Sequence, residues 1–387
     1  MRHLGDITKI NGYEVPIVDC VIGGSPCQDL SIAGKREGLN GARSGLFMEQ
    51  IRIIREMREN DRKSGTDGAI RPRYMVWENV PGTLSSNGGE DFRVVLEETA
   101  RIADQNAVIP RPEKWRTSGC IMGDGWSIAW RILDAQFWGV PQRRRRIALV
   151  ADFGGRSAPE ILFVRKGVCG HIEKSGEKGE TTAHAAERCV AGINGEIATY
   201  AVKSYTDIAE DDIGAGQRAS GGSYGGGSEN FVFENHGMDA RYTGPLKTAP
   251  TLAKYWGTGS NNTPLCVNTS GGYSVRRLSP LECERLQGYP DGWTDIGDYI
   301  DSNGKKRKTS DSARYKALGN SIALPPWKWV LKRLCACYER DATMASLFDG
   351  IGGFPLIWEQ LNGKGTCLWA SEIEEFPMAV TKRRFGG

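Results

Sequence analysis

A thiol, a carboxyl and a cluster of guanidinium groups each stand beside an apolar run in this chain, where a strand end would present them. Cys27 sits in Gly23-Gly24-Ser25-Pro26-Cys27-Gln28, directly after the apolar stretch 17–22. A thiolate is a nucleophile, although a cysteine taken alone reads as an inert core residue. Glu78 and Asn79 close a second apolar stretch that begins at Tyr74. A carboxyl there could move a proton, or could be a cap or a surface group. Gln142 and the run Arg143-Arg144-Arg145-Arg146 precede a third apolar stretch. Such a run is either a solvated turn or a contact for phosphates and bases. The fourth feature is Phe348-Asp349-Gly350-Ile351-Gly352-Gly353, with Glu372 nineteen residues after Gly353. Glycines between a strand and a helix let a ligand approach backbone, and an acid closing the next strand can accept from ribose hydroxyls.

These residues need elements that position them. Over residues 1–155, short apolar stretches at 17–22, 74–77, 129–137 and 147–153 read as strands, and 46–57 and 93–101 as helices. Strands alternating with helices predict an α/β sheet, and open sheets bind ligands at the carboxyl ends of their strands. The texture changes in 156–275, which is rich in Gly, Ser, Thr and Asn. Seven of the fourteen residues 214–227 are glycine, which reads as a flexible loop, and the segment reads as an irregular second domain. Helical pattern returns at Ser279, an N-cap followed by Pro280 and by Glu282 in capping-box position. A polar loop is expected over 301–312 and a helix over 326–338. A strand, Gly-rich turn, helix and strand then follow at 344–372.

Composition narrows the classes. The 387 residues suggest one large domain and a smaller one at roughly 150 residues per domain. Lys and Arg total 50 against 47 Asp and Glu, so a net charge of +3 permits a nucleic-acid partner without arguing for one. No apolar run approaches the ~18 residues of a membrane span, and the start MRHLGDITKI lacks a signal-peptide core. Ten scattered cysteines fit a reduced, cytoplasmic protein better than a disulfide scaffold. Cys169, His171, His184 and Cys189 do not have the spacing of a standard zinc finger, and no metal is expected.

The strand-end residues occur within eight blocks: FDGIGGF, SEIEEF, GDI, GGSPCQDLS, ENV, QRRRR, RRLSPLECERLQGYPDGWT and ALGNSI. In these blocks, over nearly all of its length, the chain resembles the DNA (cytosine-5)-methyltransferases. The blocks keep the family's order only cyclically, because the cofactor motif stands near the end of the chain rather than at its start. The resemblance is therefore to a circularly permuted member, and it predicts that Met1 and Gly387 lie close together.

The resemblance implies a Rossmann-like S-adenosylmethionine-dependent sheet, formed by 1–155 and 276–387, with a loop-rich target-recognition domain over 156–275. It implies site-specific methylation of carbon 5 of cytosine in double-stranded DNA, with the base flipped out of the duplex. Cys27 matches the nucleophile, Glu78 the group that serves ring nitrogen 3, and Arg144 and Arg146 the two arginines of the QxRxR pattern. Phe348, Gly350, Gly352, Gly353, Pro26, Asn320 and Ser321 match the pocket of S-adenosylmethionine. Glu372 matches the residue on its ribose, Asp6 that on the adenine amino group, and Ile373 and Ile7 those packing on the adenine. Residues 29–45 match a loop that closes over the base. A monomer is expected, bacterial or phage-encoded, with a cognate restriction endonuclease as a further partner. A tRNA cytosine-5 methyltransferase and a non-catalytic DNA-binding relative are the alternatives. The size of 156–275 favours DNA over tRNA, and intact Cys27, Glu78, Arg144 and Arg146 argue for catalysis.

Overall fold

A computed structural model of the chain describes residues 1–26, 45–65, 68–163, 199–204, 207–211, 228–229, 232–235, 242–246, 249, 265–268 and 274–386. In chain order the elements begin with β1 (Arg2–His3), β2 (Cys20–Gly23), α1 (Gly45–Lys63), β3 (Tyr74–Asn79) and α2 (Glu90–Ala100). Then come β4 (Ser118–Met122), β5 (Ser127–Asp134), β6 (Arg145–Asp152) and α3 (Ala158–Leu162). Seven strands follow: β7 (Thr199–Ser204), β8 (Asp207–Asp211), β9 (Ser228–Glu229), β10 (Val232–Asn235), β11 (Tyr242–Leu246), β12 (Leu265–Asn268) and β13 (Ser274–Arg277). The remainder is α4 (Pro280–Gln287), β14 (Tyr299–Ile300), β15 (Lys306–Arg307), α5 (Asp311–Asn320), α6 (Leu324–Cys335), β16 (Met344–Leu347), α7 (Gly353–Asn362), β17 (Cys367–Ser371) and α8 (Glu375–Phe385).

The two ends of the chain build one sheet. Its order is β1-β17-β16-β2-β3-β6-β5-β4, so the last two strands lie between the first two. β1, β17, β16, β2 and β3 are mutually parallel, while β6, β5 and β4 add antiparallel. Helices cover both faces, which is why the parallel strands are apolar throughout rather than alternating. Val21, Met75, Trp77, Leu347 and Trp369 join α1 and α2 in one core. Cys20, Ile22, Tyr74, Val76 and Met344 join α3 to α7 in the other. Each large side chain that is fully buried, such as Trp77 or Ile22, contributes about 1.5–3 kcal/mol relative to exposure. The first residues sit on the last elements. Leu4 N donates to Ala370 O at 2.9 Å, and Thr381 Oγ1 lies 2.8 Å from His3 Nε2. Gly387 falls outside the described residues, and with it the predicted meeting of the termini.

Several expectations shift in detail. β2 starts at Cys20, not at 17. α1 runs past 57 to Lys63, carried by ion pairs one turn apart, Arg52–Glu56 at 2.8 Å and Lys63–Glu59 at 2.7 Å. The loop expected over 301–312 is a small hairpin of β14 and β15, closed by Asp301, which accepts from Lys305 N and Arg307 Nε, each at 2.8 Å. The capping box forms as read: Ser279 Oγ accepts from Glu282 N and Glu282 Oε2 from Ser279 N. Of residues 156–275, α3 packs into the large core, and the described strands form a three-stranded sheet, β8-β7-β9, and a four-stranded one, β11-β10-β12-β13. Residues 214–227 lie outside the described residues. Among those described, no helix is long and apolar enough to cross a membrane.

Candidate active site

The carboxyl ends of β16, β2 and β3 share one edge, where the strand order reverses and open α/β sheets leave a crevice. The register aligns Leu347 with Gly23 and Gly23 with Trp77, so the next residues of all three strands emerge side by side.

After Leu347 the chain turns sharply. Phe348 has φ 55°, a conformation a bulky residue adopts only when its surroundings force it, and Gly350 and Gly352 have φ 56° and 78°. The turn feeds α7, and Gly350 N donates to Glu372 Oε2 at 2.7 Å. Glu372 Oε1 also accepts from Ile373 N at 2.8 Å and Glu374 N at 2.9 Å. Three backbone N–H groups thus fix this carboxyl and leave lone-pair room for hydroxyl donors. A Cβ on Gly350 would meet nothing within 4 Å, so the turn is open there. On Gly353 it would collide with the Tyr289 hydroxyl and stand 2.9 Å from Ile322 Cγ1. Gly353→Ala is therefore expected to cost about 1–3 kcal/mol, read as a lowered Tm, and to weaken cofactor binding measured by calorimetry.

Other expected cofactor residues gather around this turn. Ser371 Oγ donates to Gly5 O at 2.8 Å, tying the end of β17 to the Asp6 turn. Asp6 Oδ1 accepts from Thr8 N at 3.0 Å and Thr8 Oγ1 at 2.8 Å, which holds its carboxyl below the usual range. The two isoleucines part company. Ile373 is 67% exposed and offers an apolar surface, whereas Ile7 is 3% exposed and packs in the core with α1. Asn320 is exposed at the end of α5. Ser321 Oγ lies 2.5 Å from Tyr289 OH, so this segment reaches the Gly353 side of the turn through a tyrosine. A hydroxyl acceptor, an exposed apolar side chain and a turn open at Gly350 fit the nucleoside part of S-adenosylmethionine.

The second group of residues belongs to β2, β3 and β6. A Cβ on Gly24 would lie 2.8 Å from Glu78 Oε2, so a larger residue there would push the Glu78 carboxylate out of its position. Ser25 is clamped: Trp77 Nε1 donates to its Oγ at 3.1 Å and Asn79 Nδ2 to its carbonyl at 2.9 Å. Pro26, exposed, is the last described residue before Cys27. Cys27 and 29–44 of the expected loop lie outside the described residues, as do Cys169, His171, His184 and Cys189. Among the described residues, no three His, Cys, Asp or Glu are grouped to hold a metal.

The arginine run alternates. Arg143 and Arg145 are exposed, Arg144 is buried and Arg146 is partly buried, as extended backbone entering β6 requires. Arg146 Nε lies 2.8 Å from Glu78 Oε1, with both side chains still partly open, at 17% and 15% exposure. Arg144 is 2% exposed and donates to the carbonyls of Gly319, at 3.0 Å, and Ser321. The structure therefore brings Arg146 to Glu78, while Arg144 braces the Asn320–Ser321 turn from beneath.

Four contributors escaped the sequence reading: Asn79, Tyr289, Trp293 and Asp349. Asn79 stands inside ENV and Tyr289 and Trp293 inside the longest block, yet their polar ends serve groups that the sequence does not place beside them. Trp293 Nε1, for example, donates to Ile351 O at 2.8 Å. Asp349 carried a signal, an acid within a Gly-rich turn. Burial pushes its carboxyl up to about 8, against the Ser346 hydrogen bond and with the added charge of Glu372.

A family model of C-5 cytosine-specific DNA methylases matches residues 2–103 and 121–336. The Gly-rich turn and Glu372 lie beyond the matched stretches. A protein of Escherichia phage P1 named DNA N-6-adenine-methyltransferase is 29% identical over 89% of this chain, which spans 56% of that relative. The type II methyltransferase M.Bsp6I of Bacillus sp. strain RFL6 is 25% identical, over 83% of this chain and 80% of the relative. Among solved structures, the S. pombe Dnmt2 methyltransferase aligns with a TM-score of 0.43 and 15% identity, over 85% of this chain and 82% of its own. The family match takes in the strands that carry Glu78 and Arg146 and most of the chain, which belongs to the C-5 cytosine-specific DNA methylase family.

Proposed function

We propose that the protein methylates carbon 5 of cytosine at specific sites in double-stranded DNA. The observation that carries this reading is the Glu78–Arg146 pair at 2.8 Å, beside the strand exit that leads into Cys27 and next to the cofactor turn. Bound S-adenosylmethionine supplies a methyl group on a positively charged sulfur. Carbon 5 of cytosine is a poor nucleophile until a thiolate adds at carbon 6, and Cys27 makes that bond. The electron pair displaced onto the ring is answered by a proton held at Glu78 toward nitrogen 3, with Arg146 stabilising charge beside it. Carbon 5 then takes the methyl group, loses its proton to a base, and the Cys27 thiolate leaves. The base must leave the stack to reach these groups. Residues 156–275 are the target-recognition part on this reading, with exposed Arg143 and Arg145 toward phosphate.

The phage relative's name points to a different acceptor, the amino nitrogen of adenine. That nitrogen has its own lone pair and needs no thiolate, so Cys27 and the Glu78–Arg146 pair would have no work there. DNA from cells expressing the protein separates the two. Bisulfite sequencing is expected to show 5-methylcytosine within one recurring sequence. N6-methyladenine with unmodified cytosine would overturn the proposal, as would methyl transfer confined to tRNA.

A further inference from the structure

Two carboxyl groups flank the Gly-rich turn, and among the described residues neither is hydrogen-bonded to a cation. Glu372 is held by backbone N–H groups alone. Asp349 is 5% exposed; its side chain is bonded to Ser346 Oγ at 2.5 Å, and its Oδ2 is buried with no partner. Four other buried acids among the described residues are answered by a guanidinium, Asp19 by Arg340 at 2.6 Å, Asp152 by Arg73 at 2.9 Å, Asp61 by Arg71 at 2.8 Å and Glu284 by Arg314 at 3.2 Å, while Asp91 has both carboxylate oxygens bonded, to Ser86 and Asn87. A buried carboxylate without a countercharge is costly, so it either holds a proton or takes a cation from elsewhere. The turn beside it is open at Gly350.

We propose that Asp349 is the countercharge to the sulfonium of S-adenosylmethionine, and that it discriminates this donor from S-adenosylhomocysteine, which lacks that charge. The proposal rests on the reading of the turn as the cofactor site. The groups facing Asp349 do not supply a competing cation. Ser346 on β16 is a neutral donor, and Glu372 after β17 is a second acid. Cys367 on β17 and Tyr289 after α4 are both pushed up by burial and stay neutral. Arg144 acts on Tyr289 from behind and is spent on the carbonyls of Gly319 and Ser321.

The sign follows from the carboxyl sitting at about 8 in the free protein. Below that pH Asp349 holds a proton, which the donor must displace. Above it the carboxylate stands ready. Donor binding therefore releases a proton and tightens as pH rises toward 8, then levels off.

The test is calorimetry of the wild type and of Asp349→Asn with both ligands between pH 6.5 and 8.5, in two buffers of different ionisation enthalpy. The amino acid group of each ligand also titrates in this range, but it does so alike for both proteins, so the comparison between them decides. For S-adenosylmethionine the ratio of variant to wild-type Kd is expected to grow from about 1 at pH 6.5 to about tenfold at pH 8.5. For S-adenosylhomocysteine it should stay within about twofold, since no charge is lost. Wild-type protein should release a proton with the donor that the variant does not. Equal ratios for the two ligands, or a ratio that ignores pH, would overturn the proposal while leaving the cofactor site standing. Failure of both ligands to bind wild-type protein would overturn the cofactor reading, and this proposal with it. Folding of the variant is checked by Tm. A carboxyl raised from 3.8 to about 8 by folding loses the native state stability as pH climbs between those values. Asp349→Asn should therefore melt higher than wild type at pH 8, with the gap narrowing toward pH 4.

Discussion

Cys27→Ala is expected to lower methyl transfer on the order of 10⁴-fold or more, and to abolish the covalent complex with DNA carrying 5-fluorocytosine. The size of the effect follows from the acceptor. Without addition at carbon 6, carbon 5 has no electron pair to offer, so the Glu78–Arg146 pair and the cofactor turn have nothing to act on. Fluorine in place of the hydrogen on carbon 5 blocks the proton loss that frees the enzyme, so the wild type should be trapped as a band stable to denaturation. Binding of unmodified duplex should persist, because the exit of β2 is held at Ser25 by Trp77 and Asn79. A trapped band with the alanine variant would refute thiolate catalysis by Cys27.

Glu78→Gln is expected to slow methyl transfer by about 10²–10⁴-fold, with the effect in kcat rather than in KM for the cofactor. The amide oxygen can still accept from Arg146 Nε, which approaches Glu78 Oε1 at 2.8 Å, so the local geometry survives. What is lost is a group that can hold a proton toward the cytosine ring. Cofactor affinity should be unchanged, since Glu372 and its three N–H partners belong to a different strand end. A rate within about threefold of wild type would remove Glu78 from proton transfer.

The two sides of the site were unequally legible. Gly350, Gly352 and Glu372 could be picked out because a strand, a glycine turn, a helix and a strand follow one another within some thirty residues, and local order fixes their geometry. Ile373 and Ile7 looked equivalent in sequence, yet one is exposed and the other lies in the core. Facing direction at a turn depends on what packs behind it, and α1 packs behind Ile7. Arg144 and Arg146 share one motif, but strand alternation sends one toward Glu78 and the other under the Asn320–Ser321 turn. The capping box of α4 was readable to the residue because its hydrogen bonds span only three positions.

The sequence by itself determined the class of fold, the family and the residue types available for chemistry, because those depend on short-range pattern and on the content of its blocks. Tertiary structure alone decided the order of the strands in the sheet. β16 and β17, last in order, are inserted between β1 and β2, so the Gly-rich turn near residue 350 comes to lie beside the strand that leads into Cys27. It also decided which polar groups are left without a partner. Asp349 reads in sequence as one more acid in a glycine turn. Among the described residues no guanidinium reaches it across the fold, as Arg340 reaches Asp19 over more than three hundred residues. Such pairings join residues distant in the chain through the packing of sheet and helices, and no local pattern encodes them.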